Sequence, residues 1–283
     1  MSYKTVLAYF DREPGVKGLS DYALSLAETP GAHLIGLAVL PSFVDVPPAE
    51  TGTQILIDEL REAYRAKATR MRAIFEANRP LQTVNTEWRI GDPGFRHATE
   101  AVAEHGQGAD LIVASQDNPD RREAGYRDIA GLLAVEAARP ILLVPHQGYP
   151  AGPAKRIVVA WDGSREASRA VFDALPMLRH ALEVTLVSIQ SWPEREGTLA
   201  PVRKQQGEDI CSALSRHGVN CELSLKAPSD EGIGQVLLAT AERHSAELLV
   251  MGGYGHSRFR EMIFGGVTRY VLQHMTIPVL LSH

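Results

Sequence analysis

Two glycine clusters, Gly252-Gly253-Tyr254-Gly255 and Gly265-Gly266, flank a charged, helix-like segment carrying His256, Ser257, Arg258 and Arg260. Residues of these types at this spacing have two readings. Glycine admits positive φ and lets backbone approach a ligand with no Cβ in the way. A helix N-terminus adds free N–H groups and partial positive charge, so the clusters could cradle a phosphate. They could equally be turns beside strand ends, where glycine is routine. The common nucleotide motifs are missing. There is no G-x-x-x-x-G-K-[ST], Gly253-x-Gly255 lacks the third glycine of the dinucleotide fingerprint, and the stretch around Ser257 lacks the closing glycine of a nucleophile elbow. His256 has no carboxylate placed in the sequence to orient it, so no catalytic residue is assigned. His97, His105, His217 and His244 are scattered without ligand spacing, and no metal site is assigned.

The elements that must position this stretch follow from an internal repeat. Lys4-Thr5-Val6-Leu7-Ala8-Tyr9-Phe10-Asp11 is answered by Lys155-Arg156-Ile157-Val158-Val159-Ala160-Trp161-Asp162. Ala109–Ala114 is answered by Ala246–Met251, and Arg139–Val144 by Ile277–Ser282. Three matches in one order indicate a duplicated domain, with residues 1–146 and 154–283 joined by Gln147–Pro153, whose Gly and Pro mark a linker. Strands are expected at Thr5–Phe10, His33–Leu40, Thr83–Ile90, Asp110–Ala114 and Ile141–Val144 in the first half. In the second they are expected at Arg156–Trp161, Glu183–Ile189, Asn220–Leu225, Glu247–Met251 and Val279–Ser282. Several are apolar on both faces, as parallel strands covered on both sides must be. One helical stripe runs through Ile57, Leu60, Tyr64, Ala68, Met71, Ile74 and Phe75. The fold class is therefore α/β, as two tandem doubly wound, Rossmann-like five-stranded parallel sheets.

Composition bounds the function. The chain has 283 residues, of which 45% are hydrophobic and 22% charged, an ordinary globular composition. Its formal net charge of -5 argues against a nucleic-acid partner. Cys211 and Cys221 form no C-x-x-C pair, so neither a zinc site nor a disulfide framework is suggested. No apolar run is long enough to cross a membrane, and the start lacks a signal-peptide pattern, so a cytoplasmic protein with no membrane partner is expected.

These residues resemble the universal stress proteins, whose ATP-binding branch carries G-x2-G-x9-G-[ST] followed by Val and Ser or Thr. Gly252, Gly255 and Gly265 reproduce that spacing, and Val267-Thr268 follow. The duplication, Asp162 at the end of the first strand and the terminal Pro278-Val279-Leu280-Leu281 also fit, so the likeness covers essentially the whole chain. What it implies is a tandem member with adenine-nucleotide alpha-hydrolase-like domains and a nucleotide-sensing role in the stress response. Asp162 would lie against adenine and ribose, and the backbone of Ile189 against adenine. Met251 leads into Gly252, and Gly252, Gly255 and Gly265 would surround the phosphates, with Gly266 and Val267 at the helix start. The implied cofactor is ATP in the C-terminal domain only, with Mg2+ as an optional companion. Gly266 departs from the family's Ser or Thr; Thr268 could supply a hydroxyl instead. Trp161, where smaller residues are common, would stack on the base or fill part of its pocket. The first half keeps Asp11 but loses both glycine clusters, and Asp117, Asp120 and Asp128 would repel phosphate. Its site reads as degenerate, and the domain as a pseudo-dimer partner. Family dimers pair through their last strands, so the resemblance implies intramolecular pairing of Ile141–Val144 with Val279–Ser282, with a further homodimer open. The rivals are a slow ATPase or nucleotide-processing enzyme, and a lipid or small-molecule carrier or interaction module without nucleotide.

Overall fold

All ten expected strands form; eight are short apolar runs that a parallel sheet buries on both faces, while Asn85–Gly91 and Cys221–Lys226 are mixed in polarity and only partly buried. A computed structural model describes residues 2–27, 30–43, 51–78, 84–117, 129–189, 199–227, 229–230, 232–253 and 266–283. The chain divides into two units, one built from Ser2–Gln116 and Arg127–Gly152, the other from Pro153–His283 with Asp117.

The first unit contains β1 (Thr5–Phe10), β2 (His33–Val39), β3 (Asn85–Gly91), β4 (Leu111–Ser115) and β5 (Ile141–Val144). They are parallel, in the order β3-β2-β1-β4-β5. Its helices are α1 (Val16–Leu26), α2 (Thr51–Ala77), α3 (Ala98–Gly106) and α4 (Ile129–Glu136). The stripe on α2 buries Ile57, Ala68, Met71 and Phe75. Leu60, expected on that stripe, is exposed. The neighbouring Arg61 takes the inner position there: its guanidinium lies 5.7 Å from the Phe43 ring and bonds Asp92 at 2.9 Å. Further along, Phe75 meets Trp88 on β3 and Phe10 on β1, with ring centroids 5.4 and 5.8 Å apart. Gly36 makes room for that cluster, since a Cβ there would sit 2.7 Å from the Trp88 ring.

The second unit repeats the plan with β6 (Arg156–Ala160), β7 (Glu183–Ile189), β8 (Cys221–Lys226), β9 (Leu248–Gly252) and β10 (Val279–Ser282). Their order is β8-β7-β6-β9-β10, again parallel. The helices are α5 (Arg165–Asp173), α6 (Leu175–Leu178), α7 (Leu199–Arg216), α8 (Ile233–Arg243) and α9 (Gly266–His274). The duplication extends to single hydrogen bonds. Gln116 N donates to Val144 O at 2.7 Å, and Gly253 N donates to Ser282 O at 2.8 Å. Ile112 N reaches Pro140 O at 3.0 Å, as Leu249 N reaches Pro278 O. Among the described residues no helix is long and apolar enough to cross a membrane.

Candidate functional site

In each unit the strand order reverses at the first strand. In the second, β7 lies on one side of β6 and β9 on the other. Val159 pairs with Val250, so two residues further along stand Trp161 and Gly252, followed by Asp162 and Gly253. This is the carboxyl edge at a topological switch point, where open α/β sheets bind ligands. Asp162 is exposed there, and its Oδ1 accepts the Ser164 amide at 2.9 Å. Ser164 in turn caps α5, its Oγ accepting from Ala167 N at 3.1 Å. Gly163 between them takes φ +78, which a side chain would resist. Asp162 is thus both the strand-ending acid of the expected site and the residue that turns the chain into α5.

Ile189 ends β7 half-buried, and Met251 on β9 is buried. Trp161 is 7% exposed, and its Nε1 is buried without a hydrogen-bond partner among the described residues. Gly252 is glycine for a reason that needs no ligand. A Cβ there would lie 2.6 Å from Ala167 N and 2.8 Å from the Glu166 carbonyl carbon, inside the first turn of α5. The first unit inverts this contact. Its helix side carries Gly15 and its strand side Ser115, whose Oγ lies 3.8 Å from where a Gly15 Cβ would be. The glycine stands on the strand side in the second unit, where a Cβ would clash, and on the helix side in the first, where a Cβ would make only ordinary contact.

Glu166 escaped the sequence reading. It is only 4% exposed, and its carboxylate pairs with Arg165 Nε at 2.6 Å. Burial alone would raise its pKa, but the hydrogen bonds from Arg165 and from its own amide prevail and hold it below the usual value. A salt-bridge signal did exist in the sequence as adjacent Arg165 and Glu166, but nothing local marked it as buried beside Gly252. Gln116 was missed too. It occupies the position of Gly253 in the first unit, is 4% exposed, and its Oε1 accepts from His146 N at 3.1 Å. Where the second unit presents bare backbone, the first places a held side chain.

Gly266 and Val267, expected at a helix start, are there: α9 begins at Gly266, so Gly266, Val267 and Thr268 form its first turn. Amides of a first turn have no partner within the helix. No acid stands in that turn, and a Cβ at Gly266 would meet nothing within 4 Å. Thr268 is 4% exposed and lies on the buried side of α9 with Val271 and Leu272, so its side chain serves the core. Gly255, Gly265, His256, Ser257, Arg258, Arg260, Asp120 and Asp128 lie outside the described residues. Among the described residues, no cluster of His, Cys, Asp and Glu could hold a metal ion.

Fold and switch point define a doubly wound α/β protein. Residues 153–283 match the model of the universal stress protein family. Universal stress protein Slr1230 of Synechocystis is 26% identical over 143 residues, which make up 50% of this chain and 46% of that protein. A universal stress protein from Archaeoglobus fulgidus matches over 98% of this chain and 95% of its own, at 14% identity and a TM-score of 0.68. A functionally unknown protein from Pseudomonas aeruginosa matches over 99% and 92%, at 17% identity and a TM-score of 0.54. The last two show a fold shared along the whole chain.

Proposed function

We propose that residues 153–283 bind an adenine nucleotide, ATP in the first instance, and that the protein acts as a nucleotide-responsive stress protein of the cytoplasm. The observation that supports this most is the meeting of Asp162 and Gly252-Gly253 at one switch point, in the unit whose α9 opens with Gly266. In this reading the phosphates take backbone amides from the first turn of α9 rather than the Thr268 hydroxyl, which is turned inward. Asp162 faces the ribose, and Trp161, being buried, shapes the floor of the base site more than it stacks on the base. Nucleotide would then shift a conformational equilibrium that a partner reads. Mg2+ would arrive with the nucleotide.

Titration calorimetry on the full chain tests this. One ATP site per chain is expected, kept in Asp11→Ala. Gly265→Val should weaken it by about 1.5–3 kcal/mol, the scale of hydrogen bonds to a charged group, or about ten- to a hundredfold in affinity. Two equal sites, or binding untouched by Gly265→Val, would show that the glycines are only turns.

A further inference from the structure

Helix α7 lies on strand β8 through one face: Gly207, Cys211 and Leu214, spaced by four and three, are buried or half-buried there. Gly207 lets the helix close onto Leu223, which would stand 2.8 Å from a Cβ at that position. One turn further along, Cys211 Sγ lies 2.8 Å from Cys221 Sγ, and both residues are half-buried. These are the chain's two cysteines, which no spacing rule had joined. The corresponding seam of the first unit is closed by the Phe75–Trp88 ring contact, an aromatic clamp that the second unit replaces with Leu223 and the thiol pair.

We propose that Cys211 and Cys221 form a reversible intramolecular disulfide, made by hydroperoxides, that fastens α7 to β8. The sulfurs need close by only about 0.8 Å to reach the disulfide bond length of roughly 2.05 Å. The pair also has a division of labour. The hydrogen bond from Cys221 lowers the Cys211 pKa, whereas the same bond and burial push Cys221 up. Cys211 is therefore the attacking sulfur, since the thiolate is the nucleophile. It attacks one peroxide oxygen, the O–O bond breaks, and the other oxygen leaves as water or an alcohol after taking a proton. Cys221 then attacks the Cys211 sulfenic sulfur, its thiol proton joins the departing hydroxide, and water leaves. Two thiols lose two electrons and two protons, and the peroxide gains them. The carboxylates of Glu208 and Glu222 act on Cys211 through space, a negative setting that admits a neutral peroxide more readily than an anionic disulfide such as glutathione disulfide.

The test uses the reduced full-length chain, treated with hydrogen peroxide, alkylated and digested with trypsin. The expected product is the peptide Gln205–Arg216 joined to His217–Lys226, two hydrogen atoms lighter than the free pair and released by dithiothreitol. Cys221→Ser should instead leave Cys211 as a sulfenic or sulfinic acid, and Cys211→Ser should leave Cys221 alkylatable. Amides of α7 and β8 should exchange more slowly in the oxidised wild type. Glutathione disulfide at equal concentration should oxidise the wild type more slowly than peroxide, a comparison that needs no variant to fold. Full alkylation after peroxide, linkage only between chains, or amide exchange unchanged by the linkage would overturn the proposal.

Discussion

Under the proposed reading Gly252 has a packing role and a phosphate-facing role, and substitution can separate them. Its contact with Ala167 N and the Glu166 carbonyl carbon is with backbone, which cannot step aside as a flexible side chain could. Gly252→Ser should therefore destabilise the second unit by about 1–3 kcal/mol, the usual scale of overpacking, even without nucleotide. The first unit's arrangement, glycine on the helix and serine on the strand, suggests the partner change. Glu166→Gly removes only the 3.0 Å contact to the Glu166 Cβ and leaves the two backbone contacts, so the double variant should be less destabilised than the sum of the single variants by only about 0.5 kcal/mol, in urea unfolding followed by circular dichroism. Strict additivity would deny the exchange. Gly266 is the opposite case: no described residue comes within 4 Å of its missing Cβ, and its φ is not positive. Gly266→Ser should fold normally and, under the proposed reading, gain a hydroxyl contact to phosphate of about 1 kcal/mol. Calorimetry should then show ATP bound roughly fivefold more tightly; an unchanged or weaker affinity would place the phosphates elsewhere.

Among elements, the two outer strands β3 and β8 are secured by different chemistry. On β3, Glu87 accepts from Arg89 Nε at 2.7 Å and lies 3.1 Å from His33 Nε2 on β2. Those hydrogen bonds hold the Glu87 carboxyl down to about 2. Because its folded-state pKa lies below the ordinary 4.5, the stabilisation is complete above that value and is lost as pH falls from 4.5 towards 2. Glu87 is 42% exposed, so solvent screening keeps the effect within the surface-pair range of about 0–1 kcal/mol. Glu87→Gln should lower stability at pH 7 by that amount and narrow its gap from wild type near pH 3, in denaturant midpoints measured at each pH. A gap that stays constant across this range would remove the ion pairs as its cause. On β8 no such carboxylate cluster is needed, since α7 closes over Gly207 and Leu223.

For the whole molecule, β5 and β10 stand last in their units' strand orders and are apolar along their length. A strand of that kind left open is a template for aggregation. The pairing of the halves implied by the family likeness is therefore part of the proposed function, and it can be checked without a ligand. Residues 1–147 and 153–283 coexpressed as separate chains should elute together as one species, whereas each alone should aggregate or self-associate. Independent elution of two stable monomers would rule the pairing out. Under the proposed reading, one nucleotide site in two similar units also predicts asymmetry. ATP should raise the unfolding midpoint of the second unit by mass action, with little direct effect on the first.

By itself the sequence determined the ten strands, their parallel arrangement and the duplication, because burial on both faces leaves a continuous apolar run in eight of them, and the order of the repeat places the mixed outer strands β3 and β8. Its boundaries were right to a residue or two: β6 stops at Ala160 rather than Trp161, and β9 runs on to Gly252. Asp162 and the glycines were legible as types and spacings. What they touch was not. Only the tertiary structure set Glu166 under Gly252, turned Thr268 inward while exposing Leu60, and brought Cys211 within 2.8 Å of Cys221. The physical reason is the same in each case. Periodicity reports which face of an element is buried, but a contact depends on how closely two elements approach, and that distance is fixed by side chains on both of them at once.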